Sequence, residues 1–214
     1  SSGNVFLVDK INALKIKSDE IKFNRIENKA VITGNSEIIF EDNYTLSSDQ
    51  VIYDKNINSV YSNEKSILLD KNGNKIKFSK FNLDLNKKKA KVFDLNLTDI
   101  NKNNFILKEA FVDLKNGEIA GKDLKLFFDK SILGNVENDP RIFGNSVINN
   151  KNQTIVSKGV FTSCKLNKKE KCPPWEMRAE EIKHDKDNKI VEYKNAYLRI
   201  YDKPVLYFPF FFHP

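Results

Sequence analysis

Pairs of apolar residues, two positions apart, recur along this chain about every thirty residues in three separate ladders. One ladder runs Ile21/Phe23, Val51/Tyr53, Phe81/Leu83 and Val112/Leu114, at spacings of 30, 30 and 31. A second runs Ile38/Phe40, Ile67/Leu69, Leu95/Leu97 and Leu124/Leu126, at 29, 28 and 29. A third runs Leu14/Ile16, Tyr44/Leu46, Ile76/Phe78 and Phe105/Leu107. Apolar residues two apart mark a strand with one buried face, because successive side chains point to opposite sides. The residues between them are often charged, as at Lys15, Lys22, Lys77 and Lys125. Turn signals separate the runs: Glu41-Asp42-Asn43, then Asn72-Gly73 and Asn116-Gly117, both Asn-Gly turns. Each repeat is thus two or three short strands, and one repeat cannot bury its apolar face alone. The pattern predicts an all-β chain, an elongated antiparallel jelly roll with an apolar interior and almost no helix.

Charge and composition narrow the function classes. The 214 residues carry a net charge of +7, and 40% of them are apolar, enough for a sizeable core. With only 8 Gly and 6 Pro, the abundant Asn takes over turn positions, since it tolerates left-handed geometry. The Lys residues are scattered, densest at Lys87-Lys88-Lys89 and between Lys165 and Lys171; a solvated surface and an anion site both fit them. No zinc finger, RNP motif or helix-turn-helix pattern points to nucleic acid. No stretch of about 18 apolar residues predicts a transmembrane helix. Ser1-Ser2-Gly3 lacks the basic and apolar regions of a signal peptide, which reads as a removed signal or a cut fragment.

After residue 140 the repeat weakens and a distinctive segment follows. It runs Thr162-Ser163-Cys164, a basic loop, Cys172-Pro173-Pro174-Trp175-Glu176-Met177-Arg178-Ala179 and His184-Asp185. It continues through Tyr193 and Ala196 to Lys203-Pro204-Val205-Leu206-Tyr207-Phe208-Pro209-Phe210-Phe211-Phe212-His213-Pro214. This segment resembles the junction of the LPS-assembly outer-membrane proteins, the LptD or organic-solvent-tolerance (OstA) family. The family pattern is a Cys loop, P-x-W-x-[IL]-R-A, H-D, a Tyr-x-x-A strand and an aromatic Pro-Val run ending in His-Pro. The matching positions are Pro174, Trp175, Arg178, Ala179, His184, Asp185, Tyr207, Pro209, His213 and Pro214; Met177 and Phe210 depart from it.

The resemblance implies a periplasmic jelly roll at the inner face of the outer membrane, followed by a transmembrane β-barrel absent from this chain. It divides the chain into jelly-roll repeats over 1–160, a C-terminal part with the Cys loop over 161–203, and a junction over 204–214. It implies transport of lipopolysaccharide (LPS), received from an LptA-like bridge protein, with an LptE-like lipoprotein partnering the barrel. The alternative is a docking jelly roll without a lipid conduit of its own. A conduit would be lined by Ile21, Phe23, Ile38, Phe40, Val51, Tyr53, Ile67, Leu69, Phe81 and Leu83, and the same ladders equally suit a filled core. In the periplasm Cys164 and Cys172 would close a loop of about nine residues, stabilising by roughly 2.5 kcal/mol. Pairing with barrel cysteines is the rival.

No nucleophile and base can be defended as a catalytic set, so the chain reads as non-enzymatic, with no cofactor and no metal. His184 and Asp185, adjacent on a strand, face opposite sides, and two cysteines without a nearby His pair make a poor zinc site. Trp175 reads as a plug over the core end or, with Arg178, as a lipid or partner contact. The first segment, Asn4 to Ile16, reads as an edge strand that accepts a bridge-protein strand. The aromatic run Val205–Phe212 reads either as a hinge beside the membrane interface or as the last core strand.

Overall fold

The computed structural model describes residues 2–40, 44–70, 72–133, 137–166 and 173–213. The turn expected at Glu41-Asp42-Asn43, the cysteine Cys172 and the terminal Pro214 lie outside them. The described residues form strands throughout, with a single 3-10 turn at Lys130–Leu133 and no α-helix. The strands are β1 (Ser2–Asp9), β2 (Leu14–Asn24), β3 (Lys29–Phe40), β4 (Tyr44–Asp54), β5 (Ser59–Ser62), β6 (Ser66–Asp70), β7 (Lys75–Phe78) and β8 (Lys80–Asp84). They continue with β9 (Lys89–Thr98), β10 (Asn104–Asp113), β11 (Glu118–Phe127), β12 (Arg141–Asn149), β13 (Gln153–Thr162), β14 (Trp175–Asp185), β15 (Ile190–Ile200) and β16 (Lys203–His213). This is the antiparallel all-β class that the period-2 ladders predict. The chain divides into two compact units: Ser1–Ile100 with Phe111–Lys115, and Asn101–Ala110 with Asn116–Pro214.

In the first unit each long strand bends midway. The register of β2 against β3 skips between Lys17 and Glu20, and that of β3 against β4 between Thr33 and Ser36. Gly34 and Asn35 turn the corner of β3 at φ +76° and +44°. The left-handed φ of Gly34 favours glycine at this corner, and a Cβ there would also displace the Asp19 carboxylate. Beyond the bend, β4 pairs with β6 through Tyr44–Ser48 and with β5 through Ile52–Asp54. One arm thus holds β1, the first part of β2, the second part of β3, the first part of β4, β6 and β7. The other holds the remaining parts of those strands with β5 and β8, and β9 runs through both. Ser18, Ser36, Ser48, Ser62 and Ser66 are buried along the bend, where small side chains let the strands fold over. Four of the hydroxyls find local partners: Ser18 Oγ donates to the Glu20 carbonyl at 3.0 Å, Ser66 Oγ to Ser48 Oγ at 3.0 Å, Ser48 Oγ to the Gln50 carbonyl at 3.2 Å, and Ser62 Oγ to that same carbonyl at 2.5 Å. The buried Ser36 Oγ has no partner among the described residues.

The hairpin turns of this unit share one construction. Asn24, Asp54, Asp84 and Asp113 each accept, on Oδ1, a backbone N–H two or three residues ahead. Such an Asx turn lets a short polar side chain satisfy the orphan donors of the loop. The first three turns then close with a left-handed residue: Asn28, Asn58 and Lys88.

The second unit bends likewise, with left-handed Asp123, Lys158 and Asn195 in β11, β13 and β15. Small residues line its bend: Gly159 lies opposite Ala179, and Ala179 opposite Ala196. Its interior is built from Leu107, Leu124, Leu126, Val147, Val156, Ile182 and Tyr193, all buried.

Candidate functional site

The two arms of the first unit face each other with their apolar sides, and the ladder residues supply both walls. Ile38 and Phe40 on one arm, and Val51, Tyr53, Phe81 and Leu83 on the other, point inward and are buried. Phe78 meets Phe81 across the interior in an edge-to-face pair 5.5 Å apart. Ile21 is half-buried, and Phe23 is half-exposed at the rim.

Ile67 and Leu69 depart from the inward placement expected of their ladder. They are 37% and 45% exposed, and Leu68 takes the inward position. The reason is register: Leu68 lies opposite Leu46 on β4 and Ile76 on β7, both inward-facing. Three consecutive apolar residues leave the phase of a short strand open, and the buried Ser66 at the bend sets it.

Two spaces lie between the walls. Deep inside, Phe40, Leu68, Phe81, Val92 and Leu114 surround only about 30 Å³, roughly the share of one liquid water. At the N-terminal end a space of about 630 Å³ opens between the β1–β2 turn and Leu7 on one side and Phe23, Ala30 and Tyr53 on the other. That volume falls within the range of small-ligand sites, about 300–1,000 Å³. Lys10 and Lys55 stand at its border.

A polar cluster crosses this opening. Tyr53 donates its hydroxyl to Asp9 Oδ2 at 2.5 Å, and the Asn12 amide donates to the same oxygen at 2.9 Å. Asn12 and Asn58 exchange a reciprocal amide pair, each bond 3.0 Å. Asp9 Oδ1 takes the backbone N–H groups of Ile11 and Asn12, so the carboxylate is fully engaged. Burial works to raise the Asp9 pKa, but the hydrogen bonds from Tyr53 and Asn12 outweigh it and hold the group below its ordinary value. Tyr53 is pushed up to about 12, first by burial and then by its bond to Asp9 and that carboxylate's charge.

The motif positions of the second unit occupy bends, turns and an edge. The Trp175 ring stands edge-on to Phe161, and its carbonyl accepts the Thr162 hydroxyl at 2.7 Å. The Pro174 carbonyl accepts the Tyr201 N–H. Glu176 is buried and bound by Arg178 at 2.5 Å and Arg199 at 3.7 Å. Ala179 sits at the bend, and Asp185 caps the β14–β15 turn through the N–H groups of Asp187 and Asn188. Burial, then the charge of Lys186, lowers the His184 pKa. Cys164 is half-buried; its carbonyl accepts Arg141 Nη1 at 2.5 Å, and its thiol lies 3.7 Å from the Trp175 carbonyl.

The aromatic run forms β16, paired along β15 from Lys203 to His213. It is a strand, as one reading held, yet Val205, Tyr207, Phe210 and Phe212 on one face are 47–60% exposed, as the other forecast. The Tyr207 ring lies tilted against Tyr197, centroids 4.7 Å apart, and its hydroxyl donates to Asn195 Oδ1. Phe211 packs against Tyr193 on the opposite face, where the Tyr193 hydroxyl meets His213 Nε2 at 3.2 Å. Among the described strands β16 pairs with β15 on one side, which leaves room for Pro204 and Pro209 to lack a donor. Among the described residues no cluster of His, Cys, Asp and Glu could hold a metal ion.

The bend serines and the polar cluster around Tyr53, namely Asp9, Asn12 and Asn58, escaped the ladder reading, which follows apolar residues only. The serines carry a signal of their own: Ser18 and Ser48, and Ser36 and Ser66, are each 30 apart.

These features define an antiparallel all-β protein whose sheet folds over an apolar interior. No family model matches the sequence, and no curated protein matches it. Among solved structures it is similar to LptH, the LptA-homologous periplasmic component of the conserved lipopolysaccharide transport device from Pseudomonas aeruginosa. The likeness covers 47% of this chain and 75% of that one, at 16% identity and a TM-score of 0.41, and the fold assignment rests on the strands themselves.

Proposed function

We propose that this chain is the periplasmic domain of an LPS-assembly outer-membrane protein and carries LPS by its acyl chains. The observation that carries the reading is the apolar interior between the two arms, which widens to about 630 Å³ at the N-terminal end. The segment from Cys164 to His213, with its resemblance to the LptD family, supports LPS as the lipid and a transmembrane barrel as the next element. On this reading LPS arrives from an LptA-like bridge protein added along the β1 edge. The β16 aromatics then lie at the membrane interface, near the barrel and its LptE-like partner. A disulfide at Cys164 and Cys172, either between the two or from them to cysteines of the barrel, belongs to the same reading.

A second reading, a docking jelly roll without a conduit, is favoured by the tight packing around the inner 30 Å³. One experiment separates them. Photo-crosslinkers at the rim and wall positions Phe23, Leu83 and Tyr53 should label LPS in cells, and those at outward Lys22, Lys77 and Ile67 should not. Equal labelling of both sets, or none at the walls, would favour the docking module.

A further inference from the structure

Among the described strands β1 pairs with β2, and it forms one wall of the N-terminal space. What ties the free end of the β1–β2 hairpin to the opposite arm is the side-chain cluster of Asp9, Asn12, Tyr53 and Asn58. The cluster joins a turn of one arm to a strand and turn of the other, at the ends remote from the bend. All four residues border the space itself. We infer that these hydrogen bonds are a clasp: releasing them swings the β1–β2 hairpin away and opens the space to a single-chain anionic amphiphile.

The chemistry of the border suits that ligand, with an apolar tail against Leu7, Phe23 and Ala30 and an anionic head toward Lys10 and Lys55. A clasp of neutral amides and one carboxylate–phenol bond suits a gate, because water can replace each bond when the turn lifts. The walls behind it are apolar and need no rearrangement of polar groups on opening. The tie is also local, so β2 to β4 keep their ladders while the hairpin moves. This inference rests on the acyl-binding reading above.

The test uses Tyr53→Phe and Asn58→Ala, which delete clasp bonds and leave the apolar walls in place. Asn28→Ala serves as the control, since Asn28 bonds Asn56 in a turn outside the clasp. Two rates are read: amide exchange in peptides spanning Ser2–Asp9, and entry of the fluorescent fatty acid cis-parinaric acid by stopped flow. Both should rise about tenfold in the clasp variants, the scale for losing one hydrogen bond to a charged group in Tyr53→Phe or the pair of neutral amide bonds to Asn12 in Asn58→Ala, and stay at wild-type values in Asn28→Ala. Unchanged exchange in β1 overturns the clasp. Faster exchange with unchanged probe entry overturns its role as a gate. A probe that binds no form, wild type included, sinks the acyl-binding reading and the gate with it, whereas equal entry rates into all forms sink the gate alone.

Discussion

Replacing Leu68 and Leu69 separately by Ala tests the phase of β6, where structure and ladder diverge. Leu68 is 8% exposed and borders the inner space; Leu69 is 45% exposed on the outer face. Truncating Leu68 removes three buried carbons, about 2.4 kcal/mol at roughly 0.8 kcal/mol each. The walls formed by Leu46, Ile76 and Phe78 belong to hydrogen-bonded strands and relax only in part, which adds a cavity cost. We therefore expect about 3 kcal/mol for Leu68→Ala and under about 1 kcal/mol for Leu69→Ala. Urea unfolding followed by far-UV circular dichroism measures both, and the slope should stay constant while the midpoint moves. If Leu69→Ala costs as much as Leu68→Ala, the assignment of inner and outer faces in β6 is wrong, and the ladder phase read from the sequence is restored.

Further outcomes follow from the same geometry. Gly144→Ala places a methyl 2.2 Å from Val156 Cγ1, a stiff β-branched neighbour, and should lower stability by about 1–3 kcal/mol in thermal melts. Because the folded pKa of Asp9 lies below its ordinary 3.8, its bonds stabilise above that pH and fade as pH falls through the folded value. Exchange in β1, corrected for intrinsic rates, should therefore accelerate below about pH 4 but stay level from pH 5 to 8. Asp54→Ala removes both an Asx turn and the buried partner of Lys29, 3.1 Å away, and should cost about 1–3 kcal/mol; Asp84→Ala, at a more exposed turn, should cost less. Non-reducing mass mapping of the chain will show whether Cys164 pairs with Cys172, and a free Cys164 thiol in the oxidised chain would turn the reading toward an outside partner.

The strand class was legible because period 2 has one meaning over four or more residues. Leu14/Ile16, Val51/Tyr53 and Phe81/Leu83 all took their forecast inward places. The reading failed at Ser66-Ile67-Leu68-Leu69, where a continuous apolar run removes the alternation that fixes phase. Phe23 shows a different loss: it borders the N-terminal space, but at its rim, where it stays half-exposed. The bends were invisible to an apolar pattern, since left-handed Asp94, Asp123 and Lys158 are residues whose sequence carries no glycine-like mark. The clasp was equally hidden, because Asn12 and Asn58 lie 46 residues apart and meet only after the sheet folds over. In the C-terminal run Pro204 and Pro209 argue against a central strand, and among the described strands β16 pairs with β15.

The backbone between successive turns carries a further consequence. The Asn28 carbonyl accepts the Lys55 N–H, Asn58 accepts Leu85, and Lys88 accepts Leu114, each turn handing one bond to the next. Every link is the same, so a turn cares only that another turn of its kind lies beside it. Length in such a chain is quantised: removing the stretch from Asn28 to Asn58 would bring equivalent donors and acceptors back into register, while removing half of it would leave both sides unmatched. Proteins built this way can grow or shrink by whole links over evolutionary time without inventing a new joint, and an engineer can set their reach by the same arithmetic.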